Sequence, residues 1–155
     1  MKPSFTAALM LSLVSGAAAL SHELLWTRRL VDLLGGTSQA TSRVLGFFFL
    51  GLAIGGLLAA LLLPLVRRPW RAIAFSEFAI ALFALPALTL PWWTDRIWPA
   101  LGVEGLICWQ GTVIKTFLSA AVVLPPAIPM GMTLPLFAAA ALQGRSTLAR
   151  HGIWL

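Results

Sequence analysis

The stretch VLGFFFLGLAIGGLLAALLLPLV, Val44 to Val66, runs for 23 residues without a single charge. At about 1.5 Å of rise per residue, a helix of that length reaches about 35 Å. The hydrocarbon core of a bilayer is about 30 Å thick, so this run is read as a membrane-spanning helix. Gly46, Gly51, Gly55 and Gly56 lie inside it. Gly51 and Gly55 are four residues apart and share one helix face, where the missing side chains allow another helix to come close. The pair is read as a packing face within the chain, in preference to a dimer seam.

Three further apolar runs flank this one. The first spans about 5–26, and the leucines at 30, 33 and 34 extend it until Gly35-Gly36 ends the helix. Lys2 and the triplet Ala17-Ala18-Ala19 also fit a secretory signal peptide. The spanning reading is preferred, because apolar character persists past those alanines. The third run covers about 72–91, is interrupted by Pro86 and stops at Pro91. The segment 92–111 is too mixed to span, and Trp92, Trp93 and Trp98 mark it as interfacial. The fourth run, about 112–142, carries Pro125, Pro126, Pro129 and Pro135 together with Gly131. Each proline removes a backbone donor, which predicts a kinked or split helix near Pro125–Gly131, packed against other helices. The fold class is all-α: one membrane domain over 1–155, polytopic, with about four transmembrane helices.

Composition supports the same solvent. Apolar residues make up 59% of the chain and charged ones 10%, and the mean hydropathy is +0.91. Soluble domains carry about 25% charged residues, so the partner surface implied here is the lipid bilayer. The formal charge of +6 comes from eleven Lys and Arg scattered between apolar runs. That is the distribution of helix-flanking charge, and nucleic acid is excluded as a partner. With the N-terminus cytoplasmic, Lys2, Arg67, Arg68, Arg71, Arg145 and Arg150 fall inside. Arg28, Arg29, Arg43 and Arg96 fall outside, with Lys115 at the outer end of the fourth helix. The compact cluster at 67–71 closes the tightest loop and decides the orientation.

Chemistry is sparse. Cys108 is alone, and His22 and His151 are the only histidines, so no disulfide, metal site or cofactor is predicted. His22-Glu23 opens a zinc-protease H-E-x-x-H, but Trp26 occupies the place of the second ligand. No glycine-rich turn follows a strand, and no nucleophile sits beside a base. The five acids, Glu23, Asp32, Glu77, Asp95 and Glu104, are dispersed over different segments. An ionisable residue within a span is a candidate functional site. Glu23 is read as an interfacial partner of Arg28 or Arg29, or else as a proton or cation site. Glu77 either folds back to Arg71 or Arg68 or serves a buried role. Lys115 is read as snorkelling to the headgroups.

Several blocks occur in a telling order. The chain runs from Ser15-Gly16-Ala17-Ala18-Ala19-Leu20 into His22-Glu23-Leu24-Leu25-Trp26-Thr27-Arg28, then through Gly51-Leu52-Ala53-Ile54-Gly55-Gly56, Arg67-Arg68-Pro69 and Glu77. It closes with Leu124-Pro125-Pro126-Ala127-Ile128-Pro129-Met130-Gly131-Met132-Thr133-Leu134-Pro135. Together these blocks resemble the N-terminal membrane half of bacterial spermidine synthase-like membrane proteins, the fused major-facilitator-like transporter and spermidine synthase family. The E-x-L-W-T-R and P-P-x-x-x-M-G-x-T-x-P stretches are the most specific. Two positions depart from the pattern: His22 stands where an aromatic residue is expected, and Leu63-Pro64-Leu65 replaces an acidic-basic pair.

The resemblance implies a major-facilitator-like partial bundle in the bacterial inner membrane. It also implies further helices and a C-terminal synthase-like domain as partners, with the segment from His151 onward starting a fifth apolar run of a truncated or split chain. The acidic and glycine-rich residues of that transferase domain have no counterparts here, so no catalytic residue is carried over. Glu23, Arg28, Glu77, Pro126 and Gly131 are the candidate functional or structural residues within the membrane. The rival functions are a small oligomeric transporter or channel subunit, with Glu23 or Glu77 on its pathway, and a packing subunit of a larger membrane complex.

Overall fold

A computed structural model describes residues 5–34, 38–100 and 108–152. Helix α1 spans Phe5–Leu34, α2 Ser38–Leu62, α3 Pro69–Ala100 and α4 Cys108–Gly152. No strand occurs among the described residues. All four helices are long and apolar enough to cross a membrane, over Phe5–Val31, Ser38–Leu65, Pro69–Thr89 and Trp109–Leu142. Lys2, Glu104 and the 101–107 part of the expected interfacial segment lie outside the described residues. So do the side chains of Asp32, Arg145, Arg150 and His151.

The helices run further than their apolar cores. α2 begins at Ser38 and α3 continues through Pro86 and Pro91 to Ala100. The expected end at Pro91 is therefore corrected. A proline costs a helix the bond to the carbonyl four residues back, yet in a membrane segment other groups can re-satisfy that carbonyl. Arg96 then sits over the Trp92 ring at 5.3 Å, one turn on, as a cation on an aromatic face. For the fourth helix the expected packing against other helices is found, and the split is corrected. The helix is not split at Pro125–Gly131 but is helical throughout, with all four prolines inside it.

Between α2 and α3 the chain makes a tight turn. Leu63–Leu65 form one 3-10 turn, and the Val66 N–H donates to the Leu63 carbonyl at 3.1 Å. Val66 is extended, with φ −80° and ψ 97°. Pro69 then starts α3, at the one helical position where a missing N–H costs nothing. The Arg68 carbonyl accepts from the N–H groups of Arg71 and Ala72 at 3.1 and 3.3 Å, closing the first turn.

α4 is the central element and packs against each of the other helices, most extensively against α2 and α3. Gly51 faces Ala127 and Gly55 faces Gly131, so α2 and α4 run parallel. α3 runs opposite to α4, because Ile73 packs with Leu136, Phe137 and Ala140 while Ala84 and Ala87 pack in one cluster with Val123. α1 follows the direction of α3: Ser15 pairs with Glu77, and Trp26 shares a groove with Ala84 and Leu88. The result is an up-down-up-down bundle. Its main core joins Trp26 and Leu30 of α1, Val44 and Phe48 of α2, Ile80 of α3, and Val123 and Met130 of α4.

The outer face is apolar. Val14, Leu57, Leu61, Phe75, Phe117 and Leu134 are each more than 60% exposed. Contiguous apolar surface on that scale is not tolerated in water, but in lipid it faces its own kind of solvent.

Candidate functional site

The sequence singled out five intramembrane residues, and the fold separates them into three places. Pro126 and Gly131 belong to the α2–α4 seam. Pro126 is fully buried, and Gly131 lies directly against the Leu52 backbone. A Cβ at Gly131 would fall 2.8 Å from the Leu52 Cα and closer still to its carbonyl oxygen. On the facing helix, a Cβ at Gly55 would overlap the Ile128 carbonyl and sit 2.9 Å from the Gly131 Cα. One at Gly51 would meet the Ala127 Cβ at 2.5 Å. Close helix approach therefore requires these three glycines, and for Gly51 and Gly55 the G-x-x-x-G spacing predicts it. Pro135 deprives the Gly131 carbonyl of its usual helical donor, and that oxygen faces Gly56, where a built Cβ would lie 3.9 Å away. Cα–H groups are weak donors at such helix contacts.

Glu23 and Arg28 lie toward the other end of α1. Glu23 accepts from the Thr27 hydroxyl at 3.4 Å. The expected ion pair with Arg28 or Arg29 does not form among the described residues, and both guanidinium groups are exposed. The reason is helical geometry. Successive residues turn by about 100°, so positions five and six away point elsewhere, and the neighbour four away is Thr27. His22 likewise stacks on Trp26, one turn on, with ring centroids 5.6 Å apart. A groove of about 260 Å³ between α1 and α3 is lined by His22, Trp26 and Arg29 with Ala84 and Leu88.

Glu77 is the third place. It sits eight residues into α3, about 12 Å from the helix start at 1.5 Å per residue. The expected return to Arg71 or Arg68 is not made, since Arg71 is six residues back and both arginines are exposed. Instead the Ser15 hydroxyl of α1 donates to Glu77 Oε1 at 2.5 Å. Ser15 lies ten residues into α1, and Thr133 of α4 is nine residues before the end of its span at Leu142. The three therefore share one layer, about 12–15 Å from the same helix ends. An acidic side chain at that depth costs about 2.5–3.5 kcal/mol on insertion scales, and partners offset the cost. Thr133 bonds its own helix, donating to the Met130 carbonyl at 2.7 Å.

Ser15 also lines a groove of about 460 Å³ between α1, α2 and α4, with Ser12, Gly16, Leu52, Met130 and Phe137 among its walls. Sequence reasoning did not single out Ser15 as a site residue. The signal was present as a stripe of small residues, Ser12, Ser15, Gly16 and Ala19, on one face of α1. Lys115, at the other end of α4, is half-buried, and its carbonyl accepts from the Ser119 hydroxyl at 2.8 Å. Among the described residues no group of three His, Cys, Asp or Glu side chains converges as a metal site would need.

This geometry defines a polytopic α-helical bundle of membrane-spanning character with, among the described residues, one interhelical carboxylate–hydroxyl contact. No family model matches the chain, and comparison with curated proteins and with solved structures finds no match either.

Proposed function

We propose that this chain is the membrane-embedded N-terminal part of a spermidine synthase-like membrane protein, itself non-catalytic, with a major-facilitator-like partial bundle. It resides in the bacterial inner membrane with its N-terminus in the cytoplasm. Its partners are lipid, further transmembrane helices and a C-terminal synthase-like domain. One observation supports this reading above others: the two most specific resembling stretches are the ones that assemble the bundle. Trp26 of the first is 2% exposed in the main core. Ala127, Met130 and Gly131 of the second form the α4 side of that core and seam. Residues spent on packing suit a scaffold that carries an activity located elsewhere.

Aminopropyl transfer requires a sulfonium donor and a cationic amine held together in reacting geometry by several placed groups. Here Glu23 and Glu77 lie on different helices, and their hydroxyl partners differ. The test is purified protein in nanodiscs with putrescine and decarboxylated S-adenosylmethionine, followed by mass spectrometry for spermidine. The expected yield equals the protein-free control. Product that disappears in Glu77→Gln would overturn the assignment of chemistry to a separate domain. Sequencing the coding DNA beyond codon 155 gives the complementary test. A frame running into more helices and a glycine-rich domain is expected, and a stop codon there would favour a packing subunit.

A further inference from the structure

We infer that the groove between α1 and α3 is a binding site for one anionic phospholipid, with an acyl chain in the groove and the headgroup phosphate on Arg29. Elsewhere lipid is the solvent of this bundle, and here one molecule of it is a ligand. Arg29 lies two residues before the end of its span at Val31, and Leu88 one residue before the end of its span at Thr89. His22 lies nine residues before Val31, and Ala81 eight before Thr89. All four line the groove, and α1 and α3 run in the same direction. At about 1.5 Å per residue, the groove therefore leads from the membrane interface about 12 Å into the apolar layer. That is the course of an acyl chain below its headgroup.

Walls and charge specify the occupant. His22 stacks on Trp26 with ring centroids 5.6 Å apart, so the two rings make one continuous wall. Leu25, Leu85 and Leu88 also line the groove and are 52%, 53% and 66% exposed, so it opens sideways to lipid. A chain enters from within its own leaflet and never crosses water. The volume, about 260 Å³, is below the usual range of about 300–1,000 Å³ for a whole small molecule. It suits a single hydrocarbon chain, with the headgroup left at the mouth. There Arg29 supplies a guanidinium that is always charged and whose donor fork matches a phosphate. The described acids at this end, Glu23 and Asp95, do not line the groove. A headgroup of net negative charge therefore gains most, because a zwitterion carries its own cation beside the phosphate.

Arg28 separates a specific site from general surface charge. It is exposed, adjoins Arg29 in sequence, and points about 100° away around the helix, outside the groove. Ala81 is exposed and lines the groove, so phenylalanine there projects into the binding volume and spares the buried core. The experiment titrates the delipidated full chain in detergent with dioleoyl phosphatidylglycerol or dioleoyl phosphatidylcholine, and native mass spectrometry counts the bound lipids. The first phosphatidylglycerol should bind about fivefold more tightly than phosphatidylcholine, the factor for one basic residue facing an anionic lipid. Arg29→Gln should abolish that preference and Arg28→Gln should keep it. Ala81→Phe should weaken first-site binding of phosphatidylglycerol by a similar factor or more. Glycerol phosphate, an anionic headgroup without chains, should not displace the lipid. Circular dichroism confirms that the variants keep their helix content. Equal affinity for the two lipids, equal loss in the two arginine variants, unchanged binding in Ala81→Phe, or displacement by glycerol phosphate at equal concentration would each overturn the assignment. None of these outcomes bears on whether a synthase-like domain follows.

Discussion

The α2–α4 seam and the attachment of α1 join helices by different means. Between α2 and α4 the contact is made by what is missing: Gly51, Gly55 and Gly131 bring two backbones together, and no side-chain hydrogen bond is needed. α1 is anchored by Trp26 and Leu30 near one end and by the Ser15–Glu77 bond in the other half. Between those anchors Ala19 packs partly against the core, and Gly16, Ala17, Ala18, Leu20, Ser21, Leu24 and Leu25 stay exposed. Only 6% of its spanning window is buried, against 39% for α4. In lipid the apolar surface of a helix gains little from leaving its solvent, so close packing and hydrogen bonds carry association. The seam has the first in full, and α1 depends more on the second.

The largest mutational effect should therefore fall on the seam. Gly55→Val must push the Ile128 carbonyl away and separate the helices. We expect a loss of about 3 kcal/mol, the upper end of the cost of overpacking, read as a shift in SDS-induced unfolding in mixed micelles. A stability within error of the wild type would show that the two backbones do not approach as described. Trp26→Ala should cost somewhat less, about 2 kcal/mol. In lipid the transfer part of the usual penalty of about 3–5 kcal/mol for a buried tryptophan falls away and the cavity part remains. The same titration reads it.

Legibility in the sequence divides along similar lines. The spanning segments could be read because charge is sparse in them and absent from 44–66, and the G-x-x-x-G face because spacing alone puts Gly51 and Gly55 together. Their partner surface at Ala127–Gly131 could not be read, because nothing local states which helix lies opposite. The Ser15–Glu77 bond joins residues 62 positions apart, and only the bundle's topology brings them to one depth. The prolines of α4 misled for a physical reason. Local chemistry predicts interruption, while a long apolar helix flanked by three others stays helical through the prolines, with Pro126 and Pro129 buried.

Smaller effects sharpen the contrast. Ser15→Ala removes one interhelical hydrogen bond, and such bonds in membranes average about 0.6 kcal/mol. A loss above about 2 kcal/mol would mean that α1 hangs chiefly on that bond. Gly46→Ala should be neutral or stabilising by up to about 1 kcal/mol. A built Cβ there meets nothing within 4 Å, and alanine is the better helix former. Destabilisation by Gly46→Ala would place a neighbour where the fold leaves open space.

The central claim, that the helices cross a membrane in alternating directions, is tested most directly on α3. Single cysteines at Trp70 and Asp95, in a Cys108→Ser background, flank its span, Pro69–Thr89. Labelling in intact cells with a membrane-impermeant maleimide should reach position 95 from outside, and position 70 only after permeabilisation. Labelling of both positions from the same side would contradict the crossing, and with it the bundle built around α4.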